Sequence, residues 1–127
     1  ERSEVVIMDM EAGVEHLGRG TAQFVEAFLV VVEPGQRSVG TARAVQSVAN
    51  DLGIHRCLVV GSKARGEADR RFIRESLPDM DILGFIDYHP ELAQADREGL
   101  GAFQSAPAAA QQAWQIKDRL EALLAAK

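Results

Sequence analysis

An aspartate ends the first apolar run of this sequence, Val5-Val6-Ile7-Met8-Asp9, and Gly13 follows four residues later. A carboxylate held at the end of a buried strand is suited to keeping the water shell of Mg²⁺ beside a nucleotide. A glycine just past it lets a backbone N–H approach a phosphate with no side chain between. Glu11 lies between the two. The same residues also fit a plainer role, in which Asp9 caps the next helix and Gly13 makes the turn.

Two more strand ends carry chemistry-bearing side chains. Ser62-Lys63-Ala64-Arg65 follows the apolar run 57–60, and Lys63 and Arg65 can each lie over a purine or stand in solvent. Asp87-Tyr88 follows the run 82–86, and Tyr88 can cover a base or close the strand. His16 stands beside Glu15 with no second histidine at helical spacing, so it reads as a hydrogen-bonded turn residue before a metal ligand. His55 and His89 show no shared ligand spacing either. Cys57 is the single cysteine, which excludes an internal disulfide and a thiolate cage. Its place at the head of an apolar run makes it a small core residue.

The elements that must position these groups are legible from patterning. Runs 5–8, 27–32, 57–60 and 82–86 are continuously apolar rather than alternating, as in strands covered on both faces of a parallel sheet. Between them Ala42, Val45, Val48, Ala49 and Leu52 form a helical stripe, with Ser38 as its expected cap and Gly53 as its stop. Phe72, Ile73 and Leu77 mark a shorter helix before Pro78. Ser105-Ala106-Pro107 opens a last helix with Ala113, Ile116, Leu120, Leu123 and Leu124 on one face and Trp114 expected against the sheet. Strands alternating with helices predict right-handed βαβ units in a three-layer α/β fold, a single domain over 1–127. Ligands of such folds lie beyond the carboxyl ends of the strands, where the residues above fall.

Composition narrows the function. The 127 residues are 46% hydrophobic and 26% charged, which excludes a disordered tail. Net charge is 14 − 19 = −5, a poor basis for gripping nucleic acid through phosphates. No apolar run approaches the ~18 residues of a membrane span. Glu1-Arg2-Ser3-Glu4 has no apolar leader, and with one cysteine the chain reads as cytoplasmic. It also lacks an initiator Met ahead of an expected strand, as a chain cut from a longer one would.

The segment from Val5 through Asp9, Ala12-Gly13 and Glu15-His16-Leu17-Gly18-Arg19-Gly20 resembles the Walker-B and switch region of the carbon-monoxide-dehydrogenase maturation ATPases. These CooC-type nickel-insertion factors belong to the dimeric P-loop ATPases, with the nitrogenase iron protein and the partition and septum-placing ATPases. The similarity continues through Val30-Val31-Val32-Glu33-Pro34, Gly84-Phe85-Ile86 and Ala95-Asp96-Arg97-Glu98-Gly99. The family's Gly-rich loop with its lysine is absent, as is its cysteine pair, so the chain resembles the carboxyl-terminal half, a partial P-loop fold lacking the Walker-A strand. Where the family carries Asn-Lys after the third strand, this chain has Ser62-Lys63, one hydroxyl in place of an amide's donor and acceptor. Where it carries Pro after the fourth strand, this chain has Asp87.

The resemblance implies ATP and Mg²⁺ as cofactors, with Asp9 on a metal-bound water and Gly13 sensing the γ-phosphate. Glu11 and Arg19 would shape the switch or the subunit contact, while Lys63, Asp87 and Tyr88 border the adenine. It also implies a homodimer, or pairing with the missing half. Nickel would sit at a dimer site outside this chain, and carbon monoxide dehydrogenase would be the client. No metal site within this chain, no nucleic acid and no membrane partner are expected. A positioning ATPase of the partition type, and a non-enzymatic half-domain that pairs with another chain, are the two alternative readings.

Overall fold

The computed structural model describes residues 6–8 and 25–126, apart from the side chain of Phe103. Three strands, β1 (Phe28–Val32), β2 (Cys57–Ala64) and β3 (Asp81–Asp87), pair in parallel in the order β1-β2-β3. Helix α1 (Gln36–Asp51) connects β1 to β2, and α2 (Glu67–Ser76) connects β2 to β3. After β3 come α3 (Pro90–Glu98), the single turn α4 (Ala102–Ser105) and the long α5 (Pro107–Ala125). The expected α/β architecture with a parallel sheet between helices is present.

The sheet divides two cores. On one face α1 and α2 bury Val39, Ala42, Ala49 and Ile73 against Phe28, Val30, Val32, Cys57 and Val59. On the other, Ile116 of α5 packs on Leu58, Val60 and Leu83, with Ile86 and Leu120 beside them. Alternate residues of β2 thus feed opposite cores, which is why its sequence is apolar without a break. Ile73 is fully enclosed. Truncating such a side chain to alanine costs about 2–5 kcal/mol.

Helix α1 ends where the sequence places its stop. Gly53 takes φ +84, and the Ile54 N–H returns to the Ala49 carbonyl at 2.8 Å, with both side chains in the core. The start differs. Gly35 occupies the cap position, and Ser38, inside the first turn, accepts the Glu33 N–H at 2.9 Å. Helix α3 is not anticipated in the sequence. It carries the signals of one, with Pro90 and Glu91 at its start, Arg97 in its last turn and left-handed Gly99 at its end. Only Ala95 of it is buried, too little apolar surface to make a stripe.

Two expectations are corrected, for run 5–8 and for Trp114. Val6, Ile7 and Met8 are exposed and without regular structure, so the described part of run 5–8 is not a strand. An apolar run becomes a strand only where its backbone finds a partner. Among the described residues β1 is covered on one face only, with Leu29 41% and Val31 62% exposed, because α5 lies over β2 and β3 and stops short of it. Trp114 does not pack on the sheet. It is 52% exposed, with the Lys117 ammonium 4.9 Å from the ring centre, and Ile116 makes the sheet contact instead.

Candidate functional site

The carboxyl ends of all three strands open at one end of the sheet. β1 stops at Glu33-Pro34-Gly35, where proline lacks a ladder donor. β2 does not stop at Val60, as its apolar run suggests, but continues through Gly61 and Ser62 to Ala64. It can continue because β3 keeps pairing with it, Gly61 to Phe85, Ser62 to Ile86 and Ala64 to Asp87. The register skips at Lys63, which becomes the extra residue of a bulge.

Lys63 is also the non-glycine residue at positive φ among those described, at +60°. A left-handed backbone costs an L-residue about 1–2 kcal/mol. Such strain concentrates where a fold aims a side chain at a ligand. Here it lifts the Lys63 side chain across the strand ends, its Nζ 3.4 Å from the Glu33 carboxylate. Both groups are more than half exposed, so the pair is weakly bound and easily opened.

Arg65 completes this mouth. Its guanidinium lies 4.3 Å from the centre of the Tyr88 ring, and its backbone N–H donates to Asp69 Oδ2 at 2.8 Å. The Tyr88 N–H donates to the Ala64 carbonyl at 2.8 Å, carrying the pairing one step past β3. The ring is thereby fixed at its backbone, with the Arg65 guanidinium over one face and the side chain partly exposed. Lys63, Arg65 and the Tyr88 ring thus form a cationic and aromatic ledge at the ends of β2 and β3, groups that suit a planar heterocycle.

Asp87 is part of the same strand end but faces elsewhere. Its carboxylate takes two hydrogen bonds from Arg70 of α2, at 3.2 and 2.8 Å, and one from the Gln112 amide of α5 at 3.0 Å. The Gln112 carbonyl accepts the Asp87 N–H at 3.0 Å and meets His89 Nε2 at 2.9 Å. Since that oxygen already accepts from the backbone, the facing histidine nitrogen is the donor. The Arg70 hydrogen bonds hold the Asp87 carboxyl below the usual carboxylate range, against the opposing effect of partial burial. Burial pushes the Cys57 thiol up, as for a core cysteine.

Compared with curated proteins, the chain is 37% identical over 126 residues to the carbon monoxide dehydrogenase accessory protein CooC of Rhodospirillum rubrum, a match covering 99% of this chain and 45% of that protein. It is 39% identical over 99 residues to an uncharacterized ATP-binding protein of Methanocaldococcus jannaschii, covering 76% of this chain and 38% of that one. A second such protein of the same organism is 31% identical over 102 residues. The chain belongs to the CooC-type family. It spans less than half the length of the curated relatives it matches. No family model matches it.

Among the site residues expected of a CooC-type chain, Lys63 and Tyr88 stand on one ledge, with Arg65 between strand and ring. Asp87 borders that ledge by its backbone alone, its carboxylate serving the link between α2 and α5. Asp9, Glu11 and Gly13 lie outside the described residues. Glu33 and Gln112 are parts of the arrangement that sequence reasoning missed. Glu33 had a readable signal, an acid at a strand end before proline. Gln112, in an Ala- and Gln-rich stretch, had none. Among the described residues no group of three or more His, Cys, Asp or Glu could hold a metal ion. No described helix is long and apolar enough to cross a membrane.

Proposed function

We propose that this chain forms the adenine-facing part of an ATP-dependent CooC-type accessory factor. The whole protein would couple nucleotide binding to nickel delivery into carbon monoxide dehydrogenase, acting as a cytoplasmic homodimer. The observation that carries the reading is Lys63, held left-handed on a bulge at the ligand-binding end of a parallel sheet, beside the Tyr88–Arg65 pair.

The described residues fit the base end of ATP. Lys63 and Arg65 supply cations and Tyr88 a face, and the Ser62 hydroxyl can exchange one hydrogen bond with the base edge. They do not fit the phosphate end or a nickel site, so no hydrolytic or metal-transfer step is derived from them. Bound Mg²⁺ would supply charge neutralisation at the phosphates, with Asp9 as the residue assigned to its water shell, Gly13 to the γ-phosphate and Glu11 to the switch or the subunit contact. In this reading Asp87 orients Tyr88 through the strand end and touches no nucleotide. The exposed Leu29 and Val31 support a related reading, a sheet completed by chain from outside this segment.

Calorimetric titration of Mg-ATP into the protein expressed from its full reading frame tests the proposal. Lys63→Ala and Tyr88→Ala should each weaken binding roughly tenfold, about 1.4 kcal/mol. Nickel-dependent activation of carbon monoxide dehydrogenase should then require ATP and fail with either variant. ATP binding indifferent to both substitutions would discard the ledge as a base site.

A further inference from the structure

Among the described residues β3 is an edge strand, for β2 is paired on both sides and β3 on one. Helices α2 and α5 pack on opposite faces of the sheet, through Ile73 and Ile116 respectively. Between them runs an open groove of about 570 Å³, lined by both helices and by β3 itself. A groove lined from both faces follows the edge of the strand. At its far end the Arg70–Asp87–Gln112 link closes it off.

The groove combines apolar surface with positive charge. Met80, Phe85 and, from α5, Ile116 are its apolar lining, while Arg70 and Arg74 of α2 and Gln112, Gln115 and Arg119 of α5 are its polar lining. Arg70, Arg74 and Arg119 line it against one acid, Asp81, in a chain whose net charge is −5. Glu67 and Asp87 offset Arg70 and Arg74. Arg119 donates to the Leu83 carbonyl and, among the described residues, meets no carboxylate. Its guanidinium has five N–H donors, and a single carbonyl leaves most of them for another acceptor. Edge strands are commonly guarded by a cation. Guarding accounts for Arg119 at Leu83, but not for two further arginines and the apolar Met80, Phe85 and Ile116 lined along the same strand.

We propose that this groove binds an extended peptide segment of alternating apolar and acidic residues, which joins the sheet as its fourth strand. Backbone hydrogen bonds to β3 would supply affinity, and the period-two alternation of a strand would supply specificity. Apolar side chains would turn toward Met80 and Phe85, and carboxylates toward Arg119 and the two glutamines. Arg119 would exchange its bond to Leu83 for a charge-assisted one, the stronger of the two. The proposal does not depend on nucleotide, since the groove and the strand-end ledge are separate.

The test is fluorescence anisotropy on the protein from its full reading frame, with a fluorescein-labelled octapeptide of alternating valine and glutamate. The comparators are the valine–lysine octapeptide and a valine–glutamate octapeptide N-methylated at every second residue. The glutamate peptide should bind roughly tenfold tighter than either comparator. Arg119→Glu, at an exposed helical position, should remove that preference, and Arg119→Gln should reduce it in part, with circular dichroism unchanged in both. In hydrogen exchange, bound peptide should protect amides of β3 and leave those of β1 unchanged. No binding at about 1 mM peptide, equal binding of the lysine or N-methylated peptide, or full binding by Arg119→Glu would each overturn the proposal.

Discussion

Arg70 grips Asp87 through two parallel hydrogen bonds, Nε to Oδ1 at 3.2 Å and Nη2 to Oδ2 at 2.8 Å, across the end of the sheet. Both side chains are about three-quarters shielded from solvent. Paired donors of this kind, on a planar guanidinium, are among the strong polar contacts of proteins. The pair joins α2 to the last residue of β3, and Gln112 extends the link to α5.

That geometry predicts acid sensitivity of defined sign. The folded carboxyl of Asp87 lies below its ordinary range, chiefly through the Arg70 hydrogen bonds, so the unfolded chain takes up its proton first as pH falls. The stabilisation is complete above the unfolded pKa of about 4 and is lost as pH drops through the lower folded value. Asp87→Ala should cost about 1.5–3 kcal/mol at neutral pH, in the range for hydrogen bonds to charged groups. Urea unfolding at pH 7 and again near pH 3 checks this. The gap between wild type and Asp87→Ala should narrow at the lower pH, and a gap independent of pH would remove the ion pair as its cause.

Gly61 and Phe85 predict a packing conflict and its rescue. A Cβ on Gly61 would lie 2.3 Å from Phe85 Cδ1 and 2.5 Å from Cε1. The ring lies against bare strand backbone, with the Arg74 guanidinium 5.0 Å from its centre on another side. Gly61→Ala should therefore push the ring aside and cost about 1–3 kcal/mol, as overpacking does. Phe85→Leu should absorb most of that loss, so the double variant should be more stable than the two single losses sum to. Additive losses in thermal or urea unfolding would mean the ring relaxes without cost.

Strain at Lys63 separates stability from function. Glycine holds φ +60° without penalty, so Lys63→Gly should stabilise the fold by about 1 kcal/mol even though it deletes an ion pair with Glu33. A β-branched Lys63→Val should destabilise it. If the ledge takes a base, the more stable glycine variant should also bind Mg-ATP less well. A Lys63→Gly variant with unchanged melting temperature and unchanged ATP affinity would leave the left-handed lysine without a role.

How much of this was legible depends on where each contact is encoded. The three paired strands and helices α1, α2 and α5 could be read because apolar continuity and helical periodicity are local in sequence, whereas α3 buries too little to leave a stripe. Lys63 and Tyr88 could be placed at the same end of the sheet because parallel strands bring their carboxyl ends together. The direction of Asp87 could not be read, since it depends on Arg70 and Gln112, which lie 17 and 25 residues away. The extension of β2 past Val60 was hidden for a similar reason. Gly61 and Ser62 resemble a turn, and only pairing with Phe85 and Ile86 keeps them in the sheet. A bare face on β1 could be expected of a half that lacks covering helices, but which of its five apolar residues stay exposed could not be read, because they look alike and only the reach of α5 tells Val31 from Val30.

That bare face leads to a prediction about assembly. Leu29 and Val31 point away from the core of α1, and Val6, Ile7 and Met8 stand exposed as well. β1 pairs only with β2, so among the described residues its other side offers unpaired N–H and C=O groups beside apolar side chains. Such an edge seeks a partner, and burying it is favourable by about 25 cal/mol for each Å² of apolar surface covered. The segment expressed by itself should therefore self-associate, through β1, at tens of micromolar. Val31→Lys puts a charge on the exposed face without touching the core and should shift the population toward monomer, since edge lysines oppose pairing. Sedimentation velocity over a concentration series reads both. A sharp monomer boundary across the series, with a melt independent of concentration, would show that the segment closes its own edge, and Val31→Lys would then change nothing.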